Sequence, residues 1–186
     1  MPMNLLHRYV CSSKRWNGLV AENLPPLLDG VDLGDDVLEI GPGFGATTDV
    51  LAGRLPRLTS VEIDEASVHR LRARFGERVS IVHGDGAALP FPDGRFSAVV
   101  CFTMLHHVPS PAQQDRLFAE ARRVLRPGGS FLAADSRVSW AFRLVHLGDT
   151  LVPVEPDTLP DRLTRAGFAS ARVDAGTRRF TVLATT

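Results

Sequence analysis

The chain has 186 residues, of which 44% are hydrophobic and 23% charged, enough for one globular domain with a buried core. Its 21 basic and 21 acidic side chains cancel at a pI of about 7.0, so charge offers no pull towards nucleic acid or an anionic membrane surface. No apolar run approaches the roughly 20 residues that a membrane span needs, no export signal is expected at the N-terminus, and Cys11 and Cys101 make no disulfide framework. A cytoplasmic protein without membrane insertion is the expectation.

Residues 1–35 precede the core and read as a helical cap. Ser12 or Ser13 suits the N-cap of a helix running towards Asn23, with Pro25 and Pro26 as its stop. Asn4, His7 and Tyr9 are the side chains of this segment expected to be able to reach a site; packing of the segment on the sheet is the other reading. The stretch VLEIGPGFG follows. Val37, Leu38 and Ile40 suit a buried parallel strand, and Gly41, Pro42, Gly43 and Gly45 then form a tight turn before a helix that starts at Ala46. Such a turn fits a nucleotide-like ligand, and with Ala46 as a third small position a nicotinamide cofactor stays open. Two carboxylates narrow the choice. Glu39, just before the turn, would repel a pyrophosphate but attract an α-ammonium group. Glu62, at the end of the run Leu58 to Ile63, suits the two hydroxyls of a ribose.

Asp64 then reads as an N-cap, with Val68, Leu71 and Phe75 as a core stripe, Gly76 as the stop and His69 outside the stripe. A third strand spans Val79 to His83, and Pro92-Asp93-Gly94 turns into a fourth from Phe96 to Phe102. Ser110-Pro111 starts a helix that Pro127-Gly128-Gly129 ends, and a fifth strand runs from Ser130 to Asp135. After a looser stretch containing Trp140 and Phe142, a last helix begins at Asp157 or Thr158 and stops at Gly167. Phe168 to Asp174 and Arg178 to Ala184 then read as a closing hairpin. The alternation predicts one α/β domain over 1–186: a cap over 1–35, a cofactor core over 36–135, and a substrate-side link with the hairpin over 136–186. Its doubly wound, mostly parallel seven-stranded sheet would gather ligands at the carboxyl ends of the strands.

VLEIGPGFG, SVEID, VHGDGAALPFPDGRF and EARRVLRPGGSFLAAD, in that order, resemble the class I S-adenosylmethionine-dependent methyltransferases, and LPFPDGRF with LHHVP resembles their small-molecule, type 11-like branch. The resemblance implies a Rossmann-like fold with S-adenosylmethionine as cofactor. It places Glu39 and the turn Gly41, Pro42, Gly43 and Gly45 at the methionine end, Glu62 with Ile63 at the ribose, and Asp85 with Gly86 and Ala87 at the adenine. Phe102 and Thr103 belong to the same site. The cofactor half also resembles the ribosomal RNA adenine dimethylases, but Cys101-Phe102-Thr103-Met104 stands where those carry an Asn-hydrophobic-Pro-aromatic motif. The expected acceptor is therefore a small molecule, apolar or aromatic, lined by His7, Tyr9, Trp140 and Phe142.

His106 and His107 are the candidates for a proton acceptor or substrate ligand. The competing reading is that one packs beneath its loop while the other bonds a backbone carbonyl. His7, His83 and His146 show no ligand spacing, so no metal is expected. A cofactor-binding protein without transferase activity and a nicotinamide oxidoreductase are the alternative functions. The oligomeric state has no signature in the sequence.

Overall fold

A computed structural model describes residues 4–186. Seven strands form one sheet: β1 (Val37–Ile40), β2 (Leu58–Glu62), β3 (Ser80–His83), β4 (Phe96–Phe102), β5 (Leu125–Ser136), β6 (Ser170–Ala175) and β7 (Arg179–Thr185). Their order is β3-β2-β1-β4-β5-β7-β6, with the first five parallel and β7 antiparallel to both β5 and β6. The closing hairpin, and the reversal of strand order between β1 and β4, follow the expected plan.

Alternation along the central strands builds two cores. Leu38 and Ile40 of β1 join Val99 and Cys101 of β4 on one face, under α5 (Pro111–Val124) and α7 (Leu159–Arg165). Val37, with Ala98 and Val100, faces α2 (Lys14–Leu28), α3 (Ala46–Ala52) and α4 (Glu65–Phe75) on the other. The α4 stripe of Val68, Leu71 and Phe75 is buried as its period requires, and Asp64 caps that helix by accepting from Ser67 N at 2.8 Å. Among the described residues no helix is long and apolar enough to cross a membrane.

Two expectations need correction. The cap holds two helices, α1 (Leu5–Ser12) and α2, with Ser13 at the joint: its amide ends α1 on Val10 O and its hydroxyl caps α2 by accepting from Trp16 N. Pro25 and Pro26 do not stop α2, which runs on to Leu28. Proline lacks a donor but still accepts, and Pro25 O takes the amide of Asp29 at 3.0 Å. Buried Leu24 and Leu28, one turn apart, hold the last turn onto the sheet. The second correction is β5, which starts at Leu125, not Ser130. Phe96 pairs with Leu125 while Ala98 pairs with Ser130, so the Pro-Gly-Gly turn is a bulge within the strand and not a break before it.

Gly45 precedes α3 with φ of 82°, and a Cβ there would lie 2.9 Å from both Leu71 Cδ2 and Phe75 Cε2. Gly43 is also left-handed, yet a Cβ on it would meet nothing within 4 Å. Gly45→Ala is expected to cost about 2–4 kcal/mol, combining left-handed strain with overpacking, whereas Gly43→Ala carries only the strain of about 1–2 kcal/mol. Denaturant titration of the two variants checks the order. Equal losses would mean that the core beneath Gly45 yields freely.

Candidate active site

The carboxyl ends of β1, β2, β3 and β4 open onto one cavity of about 250 Å³. Its walls are Gly41 to Phe44 after β1, Glu62 to Asp64 after β2, Gly84 to Ala87 after β3, and Phe102 to Met104 with His107 to Pro109 after β4. His7, Arg8, Cys11 and Trp16 close it from the cap. Of the twelve positions assigned to the cofactor from the sequence, Gly41, Pro42, Gly43, Glu62, Ile63, Asp85, Gly86, Ala87, Phe102 and Thr103 line this space. Glu39 and Gly45 do not.

Glu62 is the organising residue. One carboxylate oxygen accepts from Gly43 N at 3.0 Å and the other from Asp64 N at 2.9 Å, which ties the glycine turn to the end of β2. Each oxygen retains a second lone pair for a ligand hydroxyl. Asp85 accepts from Ala87 N through Oδ1 at 2.8 Å, which shapes the turn and leaves Oδ2 for a donor. Between them Gly86 has room for no side chain, since a Cβ would stand 2.7 Å from Ile40 Cγ2. Thr103 is left-handed at φ 52°, unusual for a β-branched residue, and its N–H is held by Ala134 O at 2.8 Å. Strain of this kind concentrates where a chain must present a particular surface.

Glu39 differs from its expected role. It is 1% exposed and sits behind the turn, accepting from Ser60 and Thr48 hydroxyls at 2.7 Å and from that of Thr47. Burial holds its pKa above the usual carboxylate range, and the three hydroxyls offset only part of that rise. An α-ammonium group in the cavity would meet Thr47, which lines it, before Glu39.

The substrate-side residues divide. His7 lines the cavity. Tyr9 is 75% exposed, because two residues along a helix lead to the opposite face; Cys11, four along from His7, shares its face and lines the cavity instead. That spacing was a readable signal for Cys11. Burial, followed by the nearby Asp149, pushes its thiol up to about 11, so it stays protonated. Trp140 is 77% exposed. Phe142, on α6 (Trp140–Val145), stacks on His146 at 4.1 Å and meets His106 edge-on at 5.0 Å, away from the cavity wall. Asp149 and Thr150 line the cavity from a loop with no motif to mark them.

His106 and His107 also part ways. His106 is 3% exposed and turned beneath the loop: its Nδ1 pairs with Asp135 Oδ1 at 2.6 Å and its amide donates to Oδ2 at 3.1 Å. It does not line the cavity, so a direct catalytic role is withdrawn. His107 does line it, with Nδ1 on the carbonyl of Thr150 at 3.2 Å. Burial, then the neighbouring His106 and His7, push His107 down to about 3, which keeps it neutral at ordinary pH. A carbonyl only accepts, so Nδ1 carries the proton and Nε2 presents a lone pair. The expectation that the histidines share no metal spacing also changes. Folding brings one ring nitrogen from each of His7, His107 and His146 within 4.8 Å of the other two.

Comparison with known proteins agrees with this geometry. A probable S-adenosylmethionine-dependent methyltransferase of Mycolicibacterium smegmatis is 44% identical over 101 residues, covering 54% of this chain and 38% of the relative. The ribosomal RNA small subunit methyltransferase A of Cupriavidus necator is 53% identical over only 58 residues, 31% of this chain and 21% of that protein. The chain thus spans well under half the length of these curated relatives. A solved S-adenosylmethionine-dependent methyltransferase from Thermotoga maritima, a possible histamine N-methyltransferase, shares the fold with a TM-score of 0.75 at 20% identity, covering 97% of each chain. The methyltransferase domain family matches residues 38–133, just over half of the sequence. On that match, and with β1 to β4 opening their carboxyl ends onto one cavity, the chain belongs to the class I S-adenosylmethionine-dependent methyltransferases of the type 11-like branch.

Proposed function

We propose that this chain transfers the methyl group of S-adenosylmethionine to a small, apolar or aromatic acceptor. The observation that carries the reading is the convergence of Glu62, Asp85 and the glycine turn on one cavity. Glu62 suits the ribose and Asp85 the adenine amino group, with the methionine end at the turn and Thr47. Trp16, Phe44, Phe102, Met104 and Val108 supply apolar walls for the acceptor. The neutral balance of charge and the residues Cys101 to Met104 speak against an RNA substrate.

Methyl transfer from a sulfonium is an in-line displacement with an activated leaving group. The S–CH₃ bond breaks as the acceptor–CH₃ bond forms, and neutral S-adenosylhomocysteine departs. Alignment in a dry site can supply roughly 7–11 kcal/mol of the barrier. A base matters where the acceptor arrives protonated, for about 10²–10⁴-fold. In this reading His107, neutral and facing the cavity, is a substrate ligand that accepts a hydrogen bond on Nε2 and positions the acceptor; its lowered pKa makes it too weak a base to hold the proton, which passes to water.

Thermal unfolding with S-adenosylmethionine, S-adenosylhomocysteine and NADH in parallel tests the cofactor. A ligand at 100 times its dissociation constant adds about 2.7 kcal/mol, or roughly 5–10 °C for a domain this size. The shift is expected with the two adenosyl ligands alone. A shift with NADH alone overturns the reading. Release of S-adenosylhomocysteine in the presence of phenols or other small aromatic acceptors then tests turnover.

A further inference from the structure

Three histidines far apart in sequence meet on the cap side of the cavity: His7 from α1, His107 from the turn after β4, and His146 from the end of α6. Their ring centroids are 4.2 Å apart for His7 and His146, 5.1 Å for His7 and His107, and 5.3 Å for His107 and His146. Each ring is fixed through Nδ1. His7 binds Asp149 Oδ2 at 2.7 Å, His107 the Thr150 carbonyl at 3.2 Å, and His146 the Phe142 carbonyl at 2.7 Å. Oxygen acceptors at all three Nδ1 atoms leave three Nε2 lone pairs. His146 Nε2 is buried and has no hydrogen-bond partner among the described residues. A buried polar atom left so calls for a partner, and neighbouring lone pairs repel one another unless a cation or proton lies between them.

We propose that His7, His107 and His146 bind a divalent transition-metal ion of the zinc type, held by Nε2 of each ring. Asp149 and the carbonyls of Phe142 and Thr150 serve as outer partners, which orient ligating rings and raise their basicity. Tetrahedral zinc, with bonds of about 2.0–2.1 Å, sets its nitrogens roughly 3.4 Å apart, so modest closure of the rings completes the set. Three protein ligands leave a fourth position for water or an anionic oxygen. His7 and His107 also line the cavity, so that position borders the acceptor's space. A metal on His107 Nε2 would take up the lone pair that the proposed function offers to the acceptor, so the two uses are alternatives at that atom; the metal site itself does not depend on methyl transfer.

The test is zinc titration of the chelator-stripped protein by calorimetry, with bound metal counted by elemental analysis. The expected result is one zinc per chain at submicromolar affinity. His146→Phe keeps an aromatic ring beside Phe142 but no ligating nitrogen, and His107→Gln removes a second ligand independently; each is expected to weaken binding by about 100-fold or more. Asp149→Asn is expected to weaken it by about 10–100-fold, as loss of an outer partner does. His69→Gln, exposed on α4, should change nothing. Failure of the wild-type protein to bind stoichiometric zinc overturns the proposal, as does wild-type affinity in either folded ligand variant. Affinity for S-adenosylmethionine, measured on the same samples, separates the two readings. Zinc binding without cofactor binding refutes the proposed function alone, and the converse refutes the metal site alone.

Discussion

Glu62→Ala is expected to weaken S-adenosylmethionine binding by about 100-fold, equivalent to about 2.7 kcal/mol, and to lower stability by about 2–4 kcal/mol. Both losses trace to one carboxylate. Its outward lone pairs would serve the ribose hydroxyls, and hydrogen bonds to a charged group are each worth about 1.5–3 kcal/mol. Its inward lone pairs hold the amides of Gly43 and Asp64. Alanine leaves both amides without a partner, although cavity water softens the penalty. Calorimetry with the cofactor and a denaturant titration read the two effects separately. Glu62→Gln retains one acceptor oxygen and should fall between wild type and alanine on both scales. Unchanged affinity in Glu62→Ala would remove the residue from the ribose site, whatever happened to stability.

The second large effect lies outside the cavity. Asp135→Ala is expected to cost about 3–5 kcal/mol, the usual consequence of removing one partner from a buried polar pair. The melting temperature should fall by roughly 10 °C. Asp135 accepts from His106 Nδ1, His106 N and Ser136 N, and the two His106 donors would be stranded in a region closed to water. Asp135→Asn keeps one acceptor oxygen and should lose less. The exposed pair of Arg54 and Asp29 makes a useful contrast, because breaking a solvated ion pair costs less than about 1 kcal/mol. A melting temperature unchanged in Asp135→Ala would show that the turn carrying His106 repacks without its anchor.

What was legible in the sequence was whatever repeats along the chain. The apolar runs of β1 and β4, the α4 stripe and the Asp64 cap all act over a few residues, and each is found where expected. The arrival of Glu62 and Asp85 at one cavity was legible because strand ends fix where they come to lie. Glu39 does not reach the cavity as expected: side chains alternate along β1, and position 39 points with Val37 into the helical layer, onto Thr47, Thr48 and Ser60. The histidines were illegible for a different reason. His7, His107 and His146 meet only after the cap, the β4 turn and α6 have packed, and no sequence spacing encodes that meeting. His106 and His107 are adjacent, yet one tight helical turn, Leu105–His107, sends one ring beneath the loop and the other to the cavity. Pro25 and Pro26 misled because local propensity was read without the burial of Leu24 and Leu28 that overrides it.

The place of β7 has a consequence for synthesis. β5 and β6 are made first, but they are not neighbours: β7 lies between them and bonds both. As the chain leaves the ribosome at about 5–20 residues per second, the outer edge of β5 stays unpaired for several seconds until Arg179 to Thr185 emerge. During that interval Phe131, Leu132 and Ala133 have no strand beside them on that edge. This is the window in which a nascent chain is most exposed to pairing with a second copy of itself, and a pause in translation before residue 179 would lengthen it.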